Sequence, residues 1–269
     1  MKIVDIHHHV GSLAHLMGWR RGLGGVEEEQ ASRVEAMDAA EVEKAIVLPA
    51  AGYTQADGIE DTMRVNDAMA AYRDRDPNRF PVACGTVEPL HGERSLDELD
   101  RMRDGLGLRG VVWHHRFQCV PIDAGIMRPL YKRAGELGLV PVIHLVSTSH
   151  MEAPWRMERV LQDFPEVTFV ALDGFGDGDH ARIVLEMGKR NPNVLFDTAL
   201  YNMGPGFLST VVDAIGSHRV MLGSDLYAQP STIMPTAGTL VELVRRAGIS
   251  DADKDNILGL NAKRVFGLE

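Results

Sequence analysis

The sequence predicts a single (β/α)8 barrel that covers residues 1–269. Eight short apolar segments rich in β-branched residues alternate with amphipathic helical stretches, and repeated strand–helix alternation is typical of this fold. Continuous apolar runs, such as residues 45–48 and 140–143, are expected for parallel strands that are buried on both faces. The length of 269 residues is close to the roughly 250 that such a barrel needs.

The predicted elements follow one another with short joins. The strands are expected at residues 3–6, 44–48, 80–87, 108–113, 140–145, 167–172, 194–197 and 219–223. Helical patterns occupy residues 29–40, 61–75, 126–137, 155–163 and 181–190. Gly135 and Gly138 precede the fifth strand, and Pro77 and Pro81 surround the third, as is usual at element boundaries.

Composition and charge limit the classes of partner. The net charge of −10 and the pI near 5.6 disfavour nucleic acid and anionic membranes, and no apolar run approaches the roughly 18 residues of a membrane span. Cys84 and Cys119 are too few for a disulfide framework. We therefore expect a cytoplasmic protein with a small-molecule substrate, and a homodimer is a reasonable default.

Histidines at the end of the first strand indicate a metal site. His7 and His9 are spaced i, i+2, so in a strand they point to the same side while His8 faces away. Two imidazoles on one face suit zinc. An expression tag is the alternative, but only three histidines occur here and they follow an apolar strand.

Later strands supply further ligands. The fifth predicted strand ends in His144 and the eighth is followed by Asp225, so both lie at the edge of the barrel where active sites form. Alone, His144 could be a hydrogen-bonded core residue and Asp225 a cap. Together with His7 and His9 they can bind one divalent ion.

Several motifs resemble one known family. Asp5-Ile6-His7-His8-His9 resembles the D-x-H-x-H opening of the amidohydrolase superfamily. Over nearly its full length the chain is similar to the amidohydrolase-related branch that contains aminocarboxymuconate-semialdehyde decarboxylase and related hydrolases. The likeness includes Asp76-Pro77-Asn78-Arg79-Phe80, Gly110-Val111-Val112-Trp113-His114, Val140-Pro141-Val142-Ile143-His144 and Gly223-Ser224-Asp225.

The resemblance implies one metal ion, usually zinc, held by His7, His9, His144 and Asp225. Asp225 would also take a proton from the water that the ion activates, which agrees with the general lowering of water's pKa by a bound ion. Val112 occupies the place of a bridging lysine found in other branches, which favours a single ion.

Asp173 departs from the family pattern. The sixth strand usually ends in a histidine followed by glycine, whereas here Asp173 precedes Gly174. We expect Asp173 to act as an accessory acid–base or ligand; alternatively it orients His144 or caps a loop. An ionised carboxylate cannot donate a hydrogen bond, so the substitution bears on the type of reaction.

Two residues after the fourth strand are candidates for substrate binding. If Val112 points inward, strand alternation also turns His114 and Arg116 inward. The planar guanidinium of Arg116 could clamp a substrate carboxylate, or it could form a surface salt bridge.

The sequence thus predicts a metal-dependent hydrolase that attacks a lactone, amide or related carbonyl with activated water. The first alternative is a non-oxidative decarboxylase of an unsaturated or aromatic acid. The second is a barrel that has lost turnover and kept a binding function.

Overall fold

Parallel strands form the wall of a barrel in the computed structural model, which describes residues 2–11, 25–50, 57–201, 203–227 and 236–268. Neighbouring strands pair in the order β8-β7-β6-β5-β4-β3-β2-β1-β9. In the described ranges the strands are β1 (Ile3–Val10), β2 (Val42–Pro49), β3 (Val82–Gly85), β4 (Gly110–Trp113), β5 (Val140–His144), β6 (Phe169–Leu172), β7 (Val194–Asp197), β8 (Val220–Met221) and β9 (Leu226–Tyr227). The predicted (β/α)8 fold is confirmed.

Helices cover the outside of this wall. The α-helices are α1 (Val26–Ala39), α2 (Ile59–Arg75), α3 (Glu93–Asp100), α4 (His115–Gln118), α5 (Arg128–Leu137), α6 (Pro154–Asp163), α7 (Gly178–Arg190), α8 (Pro205–Ile215), α9 (Ala237–Arg246), α10 (Asp251–Asp255) and α11 (Asn261–Phe266). Short 3-10 turns lie at Pro89–His91, Gly125–Met127, His150–Glu152 and Ser217–Arg219, and π-helical turns at Arg101–Gly105 and Asn256–Leu260. None of the helices within the described ranges combines the length and apolarity needed to cross a membrane.

Two apolar layers hold the barrel together. Alternate strand residues such as Ile46, Cys84 and Val142 fill the interior, and Phe266 of α11 closes its base. The intervening residues, such as Val47 and Ile143, pack outward against the helices in a larger cluster. This accounts for the continuous apolar runs in the sequence, because both faces of each strand are buried.

Several predicted boundaries were wrong at the barrel mouth. The first strand does not stop at residue 6 but runs to Val10, so its histidines lie inside it. The third and eighth strands are shorter than predicted, and β9 was not predicted at all. A backbone hydrogen bond joins β1 to the end of β8 and closes the barrel: Ile6 N–H donates to Leu222 O at 2.9 Å.

Candidate metal centre

Three imidazoles meet at the mouth of the barrel. The potential ligand atoms of His7, His9 and His144 all lie within 4.8 Å of one another. His7 Nε2 and His9 Nε2 are 2.9 Å apart, and all three side chains are inaccessible to solvent. The residues predicted from strand ends are therefore brought together by the fold.

An irregularity in β1 aims the two histidines inward. The pairing of β1 with β2 shifts register between Asp5 and His8. Val4 and Ile6 line the barrel interior, and simple alternation would turn His7 outward. The inserted residue shifts the alternation by one position, so the side chain of His7, like that of Ile6, can point into the barrel. Bulges are common beside functional sites for this reason.

Hydrogen bonds determine which nitrogens are available as ligands. His9 Nδ1 lies 3.0 Å from Pro49 O, and His144 Nδ1 lies 3.0 Å from Trp113 O. Because a carbonyl oxygen only accepts, both Nδ1 atoms carry the proton. Burial, together with the neighbouring His7, lowers the pKa of His9 and of His144 well below 6.5, so the rings are neutral and each Nε2 presents a lone pair.

These lone pairs fit a cation. In the cluster, His9 Nε2 and His144 Nε2 both present lone pairs, and His144 Nε2 is buried without a hydrogen-bond partner among the described residues. A divalent ion bound by His7, His9 and His144 would satisfy both lone pairs and replace the Nε2 proton of His7, and imidazole nitrogens are a donor set that zinc favours.

A buried carboxylate holds the third imidazole. Asp197 Oδ2 lies 2.7 Å from His7 Nδ1, and Asp197 Oδ1 accepts a 3.0 Å bond from Asp173 N–H. Burial opposes a charge on His7, but the carboxylates of Asp225 and Asp197 outweigh it and raise the pKa of His7 to about 10 in the metal-free protein. Such a carboxylate–histidine pair turns the other ring nitrogen toward a metal and makes it more basic.

Asp225 reaches the same cluster from the turn between β8 and β9. Its Oδ1 lies 3.4 Å from both His7 Nε2 and His9 Nε2. Burial and the negative charge of Asp197 raise the pKa of Asp225 to about 6, although His7 opposes the rise. Asp225 adopts a left-handed backbone conformation with φ of 55°, which is uncommon for residues other than glycine.

Asp173 lies beside His7. Its Oδ1 is 4.0 Å from His7 Nδ1 and is buried without a hydrogen-bond partner in the described part of the chain. Burial and the nearby Asp225 raise the pKa of Asp173 well above its usual value, so this carboxyl retains a proton more readily than an ordinary aspartate. Its backbone φ of 65° is held by the bond from its N–H to Asp197.

His114 and Arg116 lie next to the cluster in different ways. The ring of His114 stacks on His144 with centroids 3.3 Å apart. Arg116 lies on the one-turn helix α4, so strand alternation does not describe its direction. Its Nη1 and backbone N–H donate to the buried Glu152 at 2.7 and 3.0 Å, and its charge counteracts the raised pKa values of Asp173 and Asp225.

Comparison with known proteins identifies the family. The amidohydrolase family model matches residues 4–268. The chain belongs to the amidohydrolase family. A search of curated proteins finds no match to this amidohydrolase.

Solved structures share the barrel of this amidohydrolase at low sequence identity. A 5-carboxyvanillate decarboxylase from Sphingomonas paucimobilis is 17% identical with a TM-score of 0.75, covering 100% of this chain and 99% of that one. A 2,6-dihydroxybenzoate decarboxylase from Rhizobium is 17% identical with a TM-score of 0.73, covering 99% of each chain. A 5-carboxyvanillate decarboxylase from Novosphingobium aromaticivorans, complexed with manganese and 4-hydroxy-3-methoxy-5-nitrobenzoic acid, is 16% identical with a TM-score of 0.75 and covers 99% of this chain and 96% of its own.

The amidohydrolase site contains two aspartates to which the sequence interpretation gave no role. Asp197 is the last residue of the predicted seventh strand, and this position at the mouth of the barrel could have identified it as a site residue. Asp5 accepts bonds from His7 N–H at 3.0 Å and Ser224 N–H at 3.1 Å, which ties β1 to the turn that carries Asp225. Its second oxygen lies 3.1 Å from His8 Nε2.

Proposed function

We propose that this amidohydrolase is a metal-dependent hydrolase that opens a lactone, amide or related carbonyl of a small molecule. The observation that carries the proposal is the convergence of three imidazoles with a carboxylate oxygen 3.4 Å from two of them. We propose that one divalent ion, zinc by preference, is held by His7, His9, His144 and Asp225.

Each residue around the cluster has a separate role in the proposed hydrolysis. A bound divalent ion would supply Lewis-acid chemistry that lowers the pKa of water from about 15.7 toward 7. Asp225, beside the cluster, would accept the proton of the attacking water as general base. Asp173, whose pKa is raised by burial, is the accessory acid that donates a proton to the leaving group. Asp197 and the backbone carbonyls of Pro49 and Trp113 keep the three imidazoles of the cluster in the tautomers that metal binding requires.

His114 and Arg116 are proposed to contact the substrate. Glu152 binds one edge of the Arg116 guanidinium and its backbone N–H, which limits the orientations of the side chain. An arginine oriented in this way suits a carboxylate on the substrate, because two parallel hydrogen bonds can form along its free edge. His114 forms an aromatic wall against His144 on the same side.

A non-oxidative decarboxylase is the second candidate. The specific observation in its favour is that the fold relatives described above carry decarboxylase names. Decarboxylation requires a donor that protonates the carbon left by carbon dioxide. The buried Asp173 carboxyl could be that donor, which removes the objection raised by the absence of a histidine at this position.

Isotope and metal measurements separate the two reactions. We expect elemental analysis of the purified protein to find about one zinc per chain, and His144→Ala to lose both metal and activity. His218→Ala is the control, because His218 is exposed on the turn that precedes β8. With an active substrate from a panel of lactones, amides and aromatic acids, solvent oxygen-18 in the product supports hydrolysis. Carbon dioxide release without oxygen-18 incorporation overturns it in favour of decarboxylation, and full activity of His144→Ala excludes both.

The cellular compartment and the binding partners are also proposed. Cys84 and Cys119 are both free, which agrees with a reducing, cytoplasmic environment. Partners are proposed to be limited to the small-molecule substrate and a second copy of the chain. Sedimentation analysis would test the homodimer.

A further inference from the structure

Arg33 of helix α1 is a buried cation that contacts the backbone of the metal centre. Its side chain is inaccessible to solvent. Nη2 donates to His9 O at 2.6 Å, and Nη1 donates to Leu226 O at 3.2 Å. The same guanidinium therefore bridges the strand that carries His9 and the strand that follows Asp225.

Two further side chains hold the guanidinium in this position. Nε donates to Tyr72 OH at 3.0 Å, and Nη2 also forms an ion pair with Glu29, one turn earlier on α1. Tyr72 OH in turn donates to Glu29 at 2.5 Å. Each of the three guanidinium nitrogens thus has an acceptor, and the buried charge is neutralised by Glu29, as a buried arginine requires.

Arg33 contacts a segment that lies directly beside the metal centre. Within the described ranges, strand β9 comprises Leu226 and Tyr227, which pair with His8 and His9. The preceding Asp225 has the left-handed φ of 55°, and such a conformation persists only where its surroundings enforce it. Asp5 restrains the residue before Asp225 through Ser224 N–H, and Arg33 restrains the residue after it through Leu226 O.

We infer that Arg33 is a positioning residue that sets the separation between His9 and Asp225 and thereby the affinity of the site for its metal. This inference rests on the proposed metal centre. Arg33 lies outside the cluster and contacts no reacting atom; it acts through two backbone carbonyls. Lysine cannot replace it, because a single ammonium lacks the planar fork that reaches both carbonyls while it pairs with Glu29.

The test compares Arg33→Lys with a matched control. Arg219 is also a buried arginine that donates to backbone carbonyls, of Ile215, Gly188 and Asn191, but it lies before β8 at the opposite end of the barrel. Zinc affinity of each purified protein is measured by competition with a chromophoric chelator, and folding by circular dichroism and thermal unfolding. Visible absorption of the cobalt-substituted proteins reports the ligand geometry.

We expect Arg33→Lys to weaken zinc binding about 10- to 100-fold, as the loss of outer supports of metal ligands generally does. Its cobalt spectrum should change. Arg219→Lys should lose thermal stability while it keeps the wild-type zinc affinity and cobalt spectrum. Zinc affinity of Arg33→Lys within twofold of wild type, with an unchanged spectrum, overturns the inference.

A second variant decides the question if Arg33→Lys does not fold. Tyr72→Phe removes the hydroxyl that orients the guanidinium and leaves both charges in place; we expect a smaller but measurable loss of zinc affinity. Unchanged affinity in Tyr72→Phe then overturns the inference. The proposed metal centre fails by a separate result, namely a wild-type protein that binds neither zinc nor cobalt.

Discussion

Asp197→Asn gives a sharp test of how the site prepares its imidazoles. The Asp197 carboxylate accepts two hydrogen bonds, one at 2.7 Å from His7 Nδ1 and one at 3.0 Å from Asp173 N–H. An asparagine of nearly the same shape has one acceptor oxygen. If this oxygen faces His7, the amide NH2 meets the Asp173 N–H, donor against donor. If it faces Asp173, His7 must switch its proton to Nε2, and that nitrogen can no longer bind a metal.

Either orientation of the asparagine side chain costs a similar amount of free energy. A hydrogen bond to a charged group contributes about 1.5–3 kcal/mol, and a buried unsatisfied donor costs about 1–3 kcal/mol. Since tenfold in affinity corresponds to about 1.4 kcal/mol, we expect zinc affinity to fall about 10- to 100-fold. Chelator competition measures the affinity. Asp123→Asn is the control, because Asp123 bonds Arg156 and Arg159 on the helical layer. Zinc affinity of folded Asp197→Asn within twofold of wild type would refute this account of the site.

Three further predictions concern buried groups around the barrel mouth. Burial raises the pKa of Glu88 to about 7, so its native carboxyl keeps a proton between pH 4.5 and 7 that the unfolded chain has lost, and stability falls as pH rises through this window. Relative to Glu88→Gln, the wild type should lose about 1–3 kcal/mol of unfolding free energy between pH 4.5 and 8 in urea titrations; a parallel pH dependence of the two proteins would contradict this. In Gly223→Ala the new Cβ would overlap Asp197 Oδ2, so we expect weaker zinc binding and a loss of about 1–3 kcal/mol of unfolding free energy. Gly125→Ala has open space around the new Cβ and should change neither quantity. Asp173→Asn cannot supply a proton, so kcat should fall about 10²- to 10⁴-fold with zinc content unchanged, and an unaltered rate across pH would exclude the proposed proton transfer.

The strand pattern explains how much of the site could be predicted from the sequence. Parallel strands that are buried on both faces give apolar runs, and the polar residues that directly follow a run lie at the mouth of the barrel. This pattern alone predicts that His144 and Asp225 lie at the mouth. His7 and His9 were placed correctly for an incomplete reason, because their inward direction depends on a register shift that periodicity does not reveal.

The remaining features depend on pairs of residues that are distant in the chain. Asp197 and His7 are 190 positions apart, and their contact requires the barrel to close, so that only β8 lies between the seventh and the first strand. Arg33 is one of several charged residues on α1, and nothing in its neighbours along the sequence marks it as buried. Arg116 was expected to follow strand alternation, but β4 ends at Trp113 and the short helix α4 turns its backbone toward Glu152.

Three aspartates surround His7, and their positions give them different tasks. Asp197 binds the ring nitrogen that faces away from the cluster, and its two oxygens are both engaged, so it is available only as a support. Asp225 lies on the opposite side, beside the converging Nε2 atoms, where a carboxylate can accept a proton from water. Asp173 has an oxygen without a partner among the described residues and a raised pKa, so it is the member of the set suited to donate. Hydrolysis requires both the acceptor and the donor, whereas decarboxylation requires only the donor. The inward placement of Asp225 is therefore the reason that hydrolysis is the preferred proposal for this barrel.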